Sequence, residues 1–306
     1  MTVSRQRPFV IPEILEKAEW YTQAAAKGDI MPYVFVRPEN KIANPGSRHH
    51  LDWFPMAPIY KNPLDLKELE FAEQIYFIEE KAFGEANMAM PRWVFYDCAL
   101  IPGFVAGFAM RTAKLPETIR KVMYADPKRD PNAEWTPLSL FIIIPTMAKG
   151  QWVAHNLCSI NTLLAPEDRL YGLGFLSKAF GLWYANVESC CGMTQWSNPA
   201  LKLHTHYGHM EVVTAYTPVH SHAKTITYRV QVDTNCWEQF FTREEDYEFL
   251  EKYQPAGFQI DPTQEESMIA LHTKVQNGEG PYFLSAAEIA SKKRTEPLSI
   301  FEPKKA

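Results

Sequence analysis

The chain has 306 residues, of which 46% are hydrophobic and 13% aromatic, and its formal net charge is −5. This composition supports a sizeable buried core. The acidic balance disfavours a general nucleic-acid binder and a protein held on an anionic membrane. No apolar run approaches the roughly 18 residues that a membrane span needs. The five cysteines form no Cys-x-x-Cys pattern, so we expect reduced thiols in a cytoplasmic protein.

The first part of the chain combines helical and strand patterns. Residues 11–27 predict a helix that Gly28 ends, residues 32–37 a short strand, and residues 65–83 a longer helix with a capping box. Two aromatic-rich segments, 93–100 and 104–111, flank an Ile-Pro-Gly turn and predict a β-hairpin. A polar stretch with four prolines follows at 112–137 and predicts an excursion with one short helix.

The second part predicts further strands around one strongly apolar helix that begins near residue 169. The predicted strands cover residues 138–144, 152–164, 190–196, 210–216 and 225–232, and a short helix covers 199–206. After Asp233 the pattern becomes helical, with capping boxes at residues 242–245 and 285–288.

This order of elements predicts an α/β fold: a mixed, mostly antiparallel central sheet flanked by helices, with helical N- and C-terminal extensions. We expect a helical extension over residues 1–31 and a central domain over 32–232 with an insertion at 112–137. A second helical extension covers 233–306.

The most informative segment is Leu164-Ala-Pro166-Glu-Asp-Arg169-Leu-Tyr-Gly172-Leu-Gly174. A predicted strand enters a turn that opens a helix, and two glycines stand at that opening. The first turn of a helix offers backbone N–H groups without intrahelical partners at the positive end of the dipole. Glycine lets a ligand approach this backbone closely. The segment is therefore suited to hold a pyrophosphate.

The same segment resembles the acyl-coenzyme A signature of the GNAT superfamily of N-acetyltransferases. About 25 residues later, Asn198-Pro-Ala-Leu-Lys-Leu-His204-Thr-His-Tyr207-Gly208 is similar to a second segment of that family, with compressed spacing. Residues 77–83 and 94–111 resemble the first helix and the second and third strands of the family. The resemblance covers residues 32–232 and implies an N-acyltransferase that takes acetyl-CoA as co-substrate and needs no metal.

The resemblance also implies roles for single residues. Backbone groups of Leu163 and Leu164 would pair with the pantetheine arm, and Asn198 would lie near the amide or thiol end of the coenzyme. An equally good reading of Asn198 is a helix cap before Pro199. The N–H groups that would hold the pyrophosphate belong to Arg169, Leu170, Tyr171, Gly172, Leu173 and Gly174.

Proton transfer is less well defined by the sequence. The tyrosine that many family members use to protonate the departing thiolate is replaced by His204, and Tyr207 stands three residues later, so either is a candidate acid. The predicted strand at 152–164 contains no Asp or Glu. His155 is then the one conventional base in it, although a hydrogen-bonded strand residue is the simpler interpretation.

Two alternatives to an active acyltransferase follow from these departures. One is a catalytically degenerate GNAT-fold protein that acts as an interaction or structural component of a larger assembly, such as a phage or virion. The other is a GNAT-like transferase that modifies nucleobases. An active enzyme would use a small-molecule or protein amine as acceptor, and the helical extensions would serve a protein partner or self-association. The histidines between residues 204 and 222 lack metal-ligand spacing.

Overall fold

The fold is built around one large mixed sheet. The computed structural model describes residues 13–49, 51–54, 57–100, 103–218, 222–237 and 247–305. Within them the sheet has twelve strands in the order β10-β12-β11-β8-β9-β7-β6-β5-β3-β1-β2, and β4 pairs with β3. The strands are β1 (Ile30–Phe35), β2 (Ile59–Lys61), β3 (Phe104–Arg111), β4 (Trp135–Pro137), β5 (Ser139–Pro145), β6 (Gln151–Ser159), β7 (Ser189–Gln195), β8 (Met210–Thr214), β9 (Thr225–Gln231), β10 (Tyr253–Ile260), β11 (Phe283–Leu284) and β12 (Leu298–Pro303).

Ten α-helices in the described residues flank this sheet. They are α1 (Glu13–Lys17), α2 (Glu19–Ala26), α3 (Leu69–Phe83), α4 (Arg92–Leu100), α5 (Glu117–Met123), α6 (Leu173–Tyr184), α7 (Ala200–Thr205), α8 (Tyr247–Lys252), α9 (Glu265–Gln276) and α10 (Ala286–Ser291). None of these helices is both long and apolar enough to cross a bilayer. The pairs β1–β2 and β6–β7 are parallel, and the other described pairs are antiparallel. The predicted fold class, a mostly antiparallel sheet flanked by helices, is confirmed.

The predicted hairpin over residues 93–111 is half wrong, because its first arm is the helix α4. The Pro91 carbonyl accepts from the amides of Val94 and Phe95 and so starts the first turn. Phe95 is fully buried, with its ring 6.0 Å from that of Phe35. Packing thus overrides the strand preference of the aromatic side chains. The middle of the predicted turn, residues 101–102, lies outside the described residues.

The C-terminal segment also differs from the helical prediction. It contains α8, α9 and α10, but β10, β11 and β12 join the edge of the sheet beside β8. The apolar alternation Leu298, Ile300 along β12 is buried against the core, which favours a strand once an open edge exists. The predicted N-cap at Ser285 is present, since its Oγ accepts from the amide of Glu288, but Glu288 Oε1 accepts from the amide of Ser299 instead of that of Ser285. The box at 242–245 lies outside the described residues.

Helices α6 and α3 lie on opposite faces of the central strands. Ser177 of α6 bonds to Ser139 of β5 at 2.6 Å. The next residue of β5, Leu140, pairs with Cys158 of β6, and Cys158 lies beside Glu79 of α3. Successive strand residues point to opposite faces. The two helices therefore cover the central strands from both sides.

Candidate active site

The sheet opens into a gap between its two central parallel strands. Strands β6 and β7 pair from Gln151 with Ser189 up to Ala154 with Gly192. Beyond that point β6 continues to pair with β5 as far as Ser159, and β7 continues to pair with β9 as far as Gln195. The facing edges of the two strands therefore separate. Backbone polar groups on such edges need partners, so the gap can take an extended ligand that carries amide groups.

A bulge in β6 lies at the start of this gap. The register shifts between the pairs Ile143–Ala154 and Phe141–Leu157, so β6 holds one extra residue there. Bulges re-aim side chains and end strand pairing. Here the bulge contains His155 and Asn156, and it coincides with the point where β6 leaves β7.

The turn after β6 is shaped by an asparagine. The strand ends at Ser159 and a 3-10 turn follows over Ile160–Leu163, so the predicted strand through Leu164 is too long. The Asn161 side chain then contacts Leu170 twice: Nδ2 donates to its carbonyl and Oδ1 accepts from its amide, both at 2.8 Å. This pair of bonds fixes the entry to α6. Leu163 and Leu164 accordingly lie beyond the open strand edge.

Two backbone N–H groups remain available where α6 begins. Among the described residues, the amides of Gly172 and Gly174 donate to no acceptor, and both residues are partly exposed. Gly172 has φ +76°, a conformation that favours glycine. The α6 dipole adds positive potential at this point. Anion binding at a helix N-terminus needs this arrangement.

Six backbone amides, from Arg169 to Gly174, were predicted to hold the pyrophosphate, and we call this turn the cradle. The structure leaves fewer of these amides available for a ligand. The amide of Leu170 is held by Asn161, that of Leu173 donates to the Leu170 carbonyl at 3.2 Å, and that of Arg169 makes a long contact of 3.5 Å with Pro166. The Arg169 side chain turns back, with Nε 3.3 Å from the Leu164 carbonyl. Gly172 and Gly174 therefore form the core of the cradle.

The N-terminal helices support this turn from the outside. Trp20 of α2 donates from Nε1 to the carbonyl of Tyr171 at 2.8 Å. Ile14 of α1 is fully buried and lies 3.0 Å from where a β-carbon on Gly172 would be. The first helices thus belong to the wall of the cradle. The sequence offered no signal for this contact, which spans about half the chain.

A buried carboxylate reaches the bulge from the α3 face. Glu79 is fully buried, and its Oε1 accepts from Asn156 Nδ2 at 2.8 Å and from the amide of Met90 at 3.0 Å. Its Oε2 has no hydrogen-bond partner among the described residues. Burial raises the pKa of Glu79, against the lowering effect of the two bonds. Helix α3 thus places a carboxylate beside the bulge of β6, a strand that contains no Asp or Glu of its own.

The predicted base His155 lies next to this carboxylate but in a different environment. Its side chain is exposed, and Nδ1 is 3.0 Å from Asn156 Oδ1. Because Asn156 also donates to Glu79, the three side chains form a hydrogen-bonded chain from the surface to the buried acid. His155 therefore reaches the site through Asn156.

His204 and Tyr207, the two candidate acids, occupy different environments. His204 is 7% exposed, and its Nδ1 is 2.9 Å from Nζ of Lys178. Burial, and then the charge of Lys178, lower the pKa of His204 well below its ordinary value. Tyr207 is fully buried, and its hydroxyl donates to the carbonyl of Phe175 at 2.7 Å. The Tyr207 hydroxyl is thus committed to the backbone of α6, whereas the described contact of the His204 ring uses Nδ1.

The remaining predicted contact, Asn198, caps a helix. Its Oδ1 accepts from the amide of Ala200 at 2.8 Å at the start of α7, which matches the alternative reading. The clustered histidines do not assemble either: within the described residues no three His, Cys, Asp or Glu side chains come together as a metal site. His220 lies outside those residues.

Comparison with known proteins gives matches among solved structures. No family model and no curated protein matches the sequence. A protein of Desulfovibrio desulfuricans assigned to the GNAT acetyltransferase family is 13% identical, with a TM-score of 0.35 over 53% of this chain and 92% of that chain. The NatC complex bound to Gag peptide and CoA is 14% identical, with a TM-score of 0.36 over 56% and 96%.

A third similar structure is the ribosomal-protein-S18-alanine N-acetyltransferase of Escherichia coli, at 13% identity and a TM-score of 0.35 over 56% of this chain and 91% of that one. The chain thus resembles GNAT-family acetyltransferases over about half its length. The sequence identities and TM-scores of these matches are low. The function is therefore argued from the gap between β6 and β7, the turn before α6 and the buried groups beside them.

Proposed function

We propose that this protein is an acyl-CoA-dependent N-acyltransferase that transfers an acyl group, in the simplest case acetyl, to an amine by direct attack. The observation that carries the proposal is the gap that opens beyond Ala154 and Gly192 and leads to the free amides of Gly172 and Gly174. An extended amide-bearing arm joined to a pyrophosphate is the ligand chemistry that matches both features.

The open edge of β6 would hold the pantetheine arm, through the backbone of residues 155–159. The amides of Gly172 and Gly174 would hold the pyrophosphate at the N-terminus of α6. Asn161 and Trp20 would keep that turn in its binding shape through their bonds to Leu170 and Tyr171. Each role uses groups that face the gap or border the turn.

Glu79 is the group that we assign to activation of the acceptor. An ammonium ion is not nucleophilic, so it must lose a proton before its nitrogen can attack the thioester carbonyl. Burial raises the pKa of Glu79, which makes its carboxylate a stronger base. The unpartnered Oε2 is the atom that would accept this proton. The acceptor would then approach from the α3 face of the sheet, opposite to α6.

The acceptor is a small-molecule amine or the amine of a protein. Both share the chemistry that the site would use, and acceptor pockets are not fixed by fold. A panel of candidate acceptors for an acyl-transfer assay should therefore include polyamines, amino-acid amides and short peptides with free N-termini. A degenerate protein of the same fold would bind the coenzyme and acylate none of them.

The binding test uses one glycine with two replacements. Gly174 is the second residue of α6, and a β-carbon there would meet only Leu203 Cδ1, at 3.7 Å. Gly174→Ala therefore fits and serves as the control. Gly174→Glu adds a carboxylate that the helix dipole stabilises by roughly 0.3–1 kcal/mol but that repels a pyrophosphate.

Isothermal titration with CoA and acetyl-CoA then separates the two effects. We expect wild type and Gly174→Ala to bind and Gly174→Glu to lose at least about tenfold in affinity, since one repulsive charge at such a site is worth ~1–2 kcal/mol. Thermal unfolding should show no loss of stability in either variant. Absence of coenzyme binding by wild type, or equal binding by all three proteins, overturns the proposal.

A further inference from the structure

A lysine buried without a carboxylate stands beside the gap. Lys178 of α6 is fully buried, and its Nζ lies 2.9 Å from His204 Nδ1 and 3.4 Å from the hydroxyl of Tyr228. The rings of Tyr207 and Tyr228 flank it, with centroids at 4.9 and 5.5 Å. In the described part of the chain no carboxylate pairs with this amine. Buried lysines are rare unless paired, so the position calls for a functional explanation.

The hydrogen bond to Lys178 determines where His204 carries its proton. An ammonium group has donors and no acceptor, so a charged Lys178 must donate and Nδ1 must accept. Burial and the lysine charge both disfavour a second proton on the ring. The imidazole is therefore neutral with its hydrogen on Nε2, and Nε2 has no hydrogen-bond partner among the described residues.

This pair lies at the closed end of the gap, on the α6 face. The His204 ring stacks on Tyr228, with centroids 5.1 Å apart. Tyr228 pairs with Gly192, and its hydroxyl lies over that glycine, 2.5 Å from where a β-carbon would be. Gly192 and Ala154 form the last pair before the strands separate. Glu79 approaches the bulge from the opposite face, so the two proton-transfer groups lie on different sides of the sheet.

We infer that Lys178 and His204 form a proton relay that protonates the sulfur leaving group during acyl transfer. The inference rests on the proposed function. As the amine nitrogen forms its bond to the acyl carbon, the carbon–sulfur bond breaks and its electron pair stays on sulfur. His204 donates its Nε2 proton to that sulfur and takes a proton at Nδ1 from Lys178. The ring remains neutral throughout, and Lys178 ends as a neutral amine that solvent recharges after product release.

The proton affinities along this route are matched. Burial lowers the pKa of Lys178 to about 8, close to the roughly 8.5 of an ordinary thiol. Transfer from the lysine to a thiolate is then nearly isoenergetic, whereas an ordinary lysine would hold its proton. The titratable groups that face Nζ are His204 from α7, Tyr207 after it, Tyr228 from β9 and Cys190 from β7.

Burial raises the pKa of Cys190 and raises those of Tyr207 and Tyr228 well above their ordinary values. These three groups therefore stay protonated near neutral pH. Lys178 is the member of the cluster that is able to release a proton there. His204 touches the sulfur in this scheme and Lys178 acts through it, so Lys178 is a positioning and proton-supplying residue.

A measurement on wild-type protein tests the relay without an acceptor. The side-chain carbon of Lys178 next to Nζ is titrated by NMR in the free protein, with CoA bound, and with desulfo-CoA bound. We expect a midpoint near pH 8 in the free protein and a higher midpoint with CoA than with desulfo-CoA, because a thiolate stabilises the charged amine. Identical midpoints in the two complexes overturn the relay. Failure of both ligands to bind overturns the proposed function instead.

Two variants separate proton supply from simple positioning. Lys178→Met removes the proton, whereas Lys178→Arg can still donate to His204 but does not release a proton near neutral pH. We expect both to lower kcat by about 10²–10³-fold, with the KM for acetyl-CoA changed less than about threefold. Both should lose the decline in rate above pH 8. Activity restored by Lys178→Arg would show that the charge only orients His204 and would overturn the relay.

Discussion

Replacing Lys178 by methionine should change how the stability of the protein depends on pH. The side chains are similar in length, so the fully buried site stays filled while the ionisable group is removed. Burial lowers the pKa of Lys178 from 10.5 to about 8 in the folded protein. Between these values the unfolded chain holds more protons than the folded one, so wild-type stability rises with pH across this window.

The size of the effect follows from the two pKa values. A lowering from 10.5 to about 8 corresponds to roughly 3 kcal/mol of disfavoured charge in the folded state. From pH 7 to pH 10 the wild type should recover roughly 2.5 kcal/mol of this relative to the variant. At pH 7 the variant should be more stable than wild type. Each hydrogen bond of Lys178 that the variant lacks reduces this gain in the free energy of unfolding by about 1 kcal/mol.

Urea unfolding of both proteins at several pH values between 7 and 10 measures this difference directly. Tyrosines and other lysines titrate in the same range, but they are common to both proteins and cancel in the comparison. Matching m-values would show that the folded states bury similar surface. Stability curves that run parallel from pH 7 to pH 10 would refute the lowered pKa and with it the basis of the proton relay.

Three further changes test the rest of the site. Glu79→Gln should lower kcat by about 10²–10⁴-fold. Burial raises the pKa of Glu79, so wild type should also lose stability relative to this variant as the pH rises above the ordinary Glu pKa of 4.5. Denaturation of both proteins at pH 4 and pH 7 checks this. Asn161→Asp loses the donor to the Leu170 carbonyl and adds negative charge beside the turn, so coenzyme affinity by calorimetry should fall at least about tenfold, and Asn161→Ala should fall less. Trp20→Phe removes the bond to Tyr171 and keeps an aromatic ring beside Tyr21, so affinity should fall by up to about tenfold, as one hydrogen bond of ~0.5–1.5 kcal/mol allows.

The local sequence pattern was sufficient to predict the glycine turn before α6, because the start of the helix and its two glycines are adjacent in the sequence. The helical periodicity of α6 and the cap at Ser285 were read for the same reason. It was insufficient for α4, where packing of Phe95 decides between helix and strand. The strands of the C-terminal segment were missed because their pairing partners are distant in sequence: β11 pairs with β8, about 70 residues earlier, and β10 pairs with β12, roughly 40–50 residues later.

The proton-transfer groups were hidden from sequence reasoning by the same distance. Glu79 meets Asn156 across 77 residues and Lys178 meets His204 across 26. Nothing next to Glu79 in the sequence indicates that it is buried, since its neighbours Glu80 and Lys81 are exposed. His204 was identified through the resemblance of its segment to the GNAT family, but its partner Lys178 lies on another helix. Only the fold shows which ionisable groups are removed from water.

The two buried groups also bear on whether the protein is active or degenerate. Glu79 has an unpartnered carboxylate oxygen and Lys178 has no described counter-ion, and each arrangement costs free energy of folding. A structural protein gains nothing from either, and substitution by Gln or Met would relieve both. Arrangements that lower the stability of the folded protein are expected where function requires them. The two groups lie on opposite faces of the same gap, as the proposed acyl transfer requires of a base and an acid, whereas a purely structural use of the fold gives no reason for their placement.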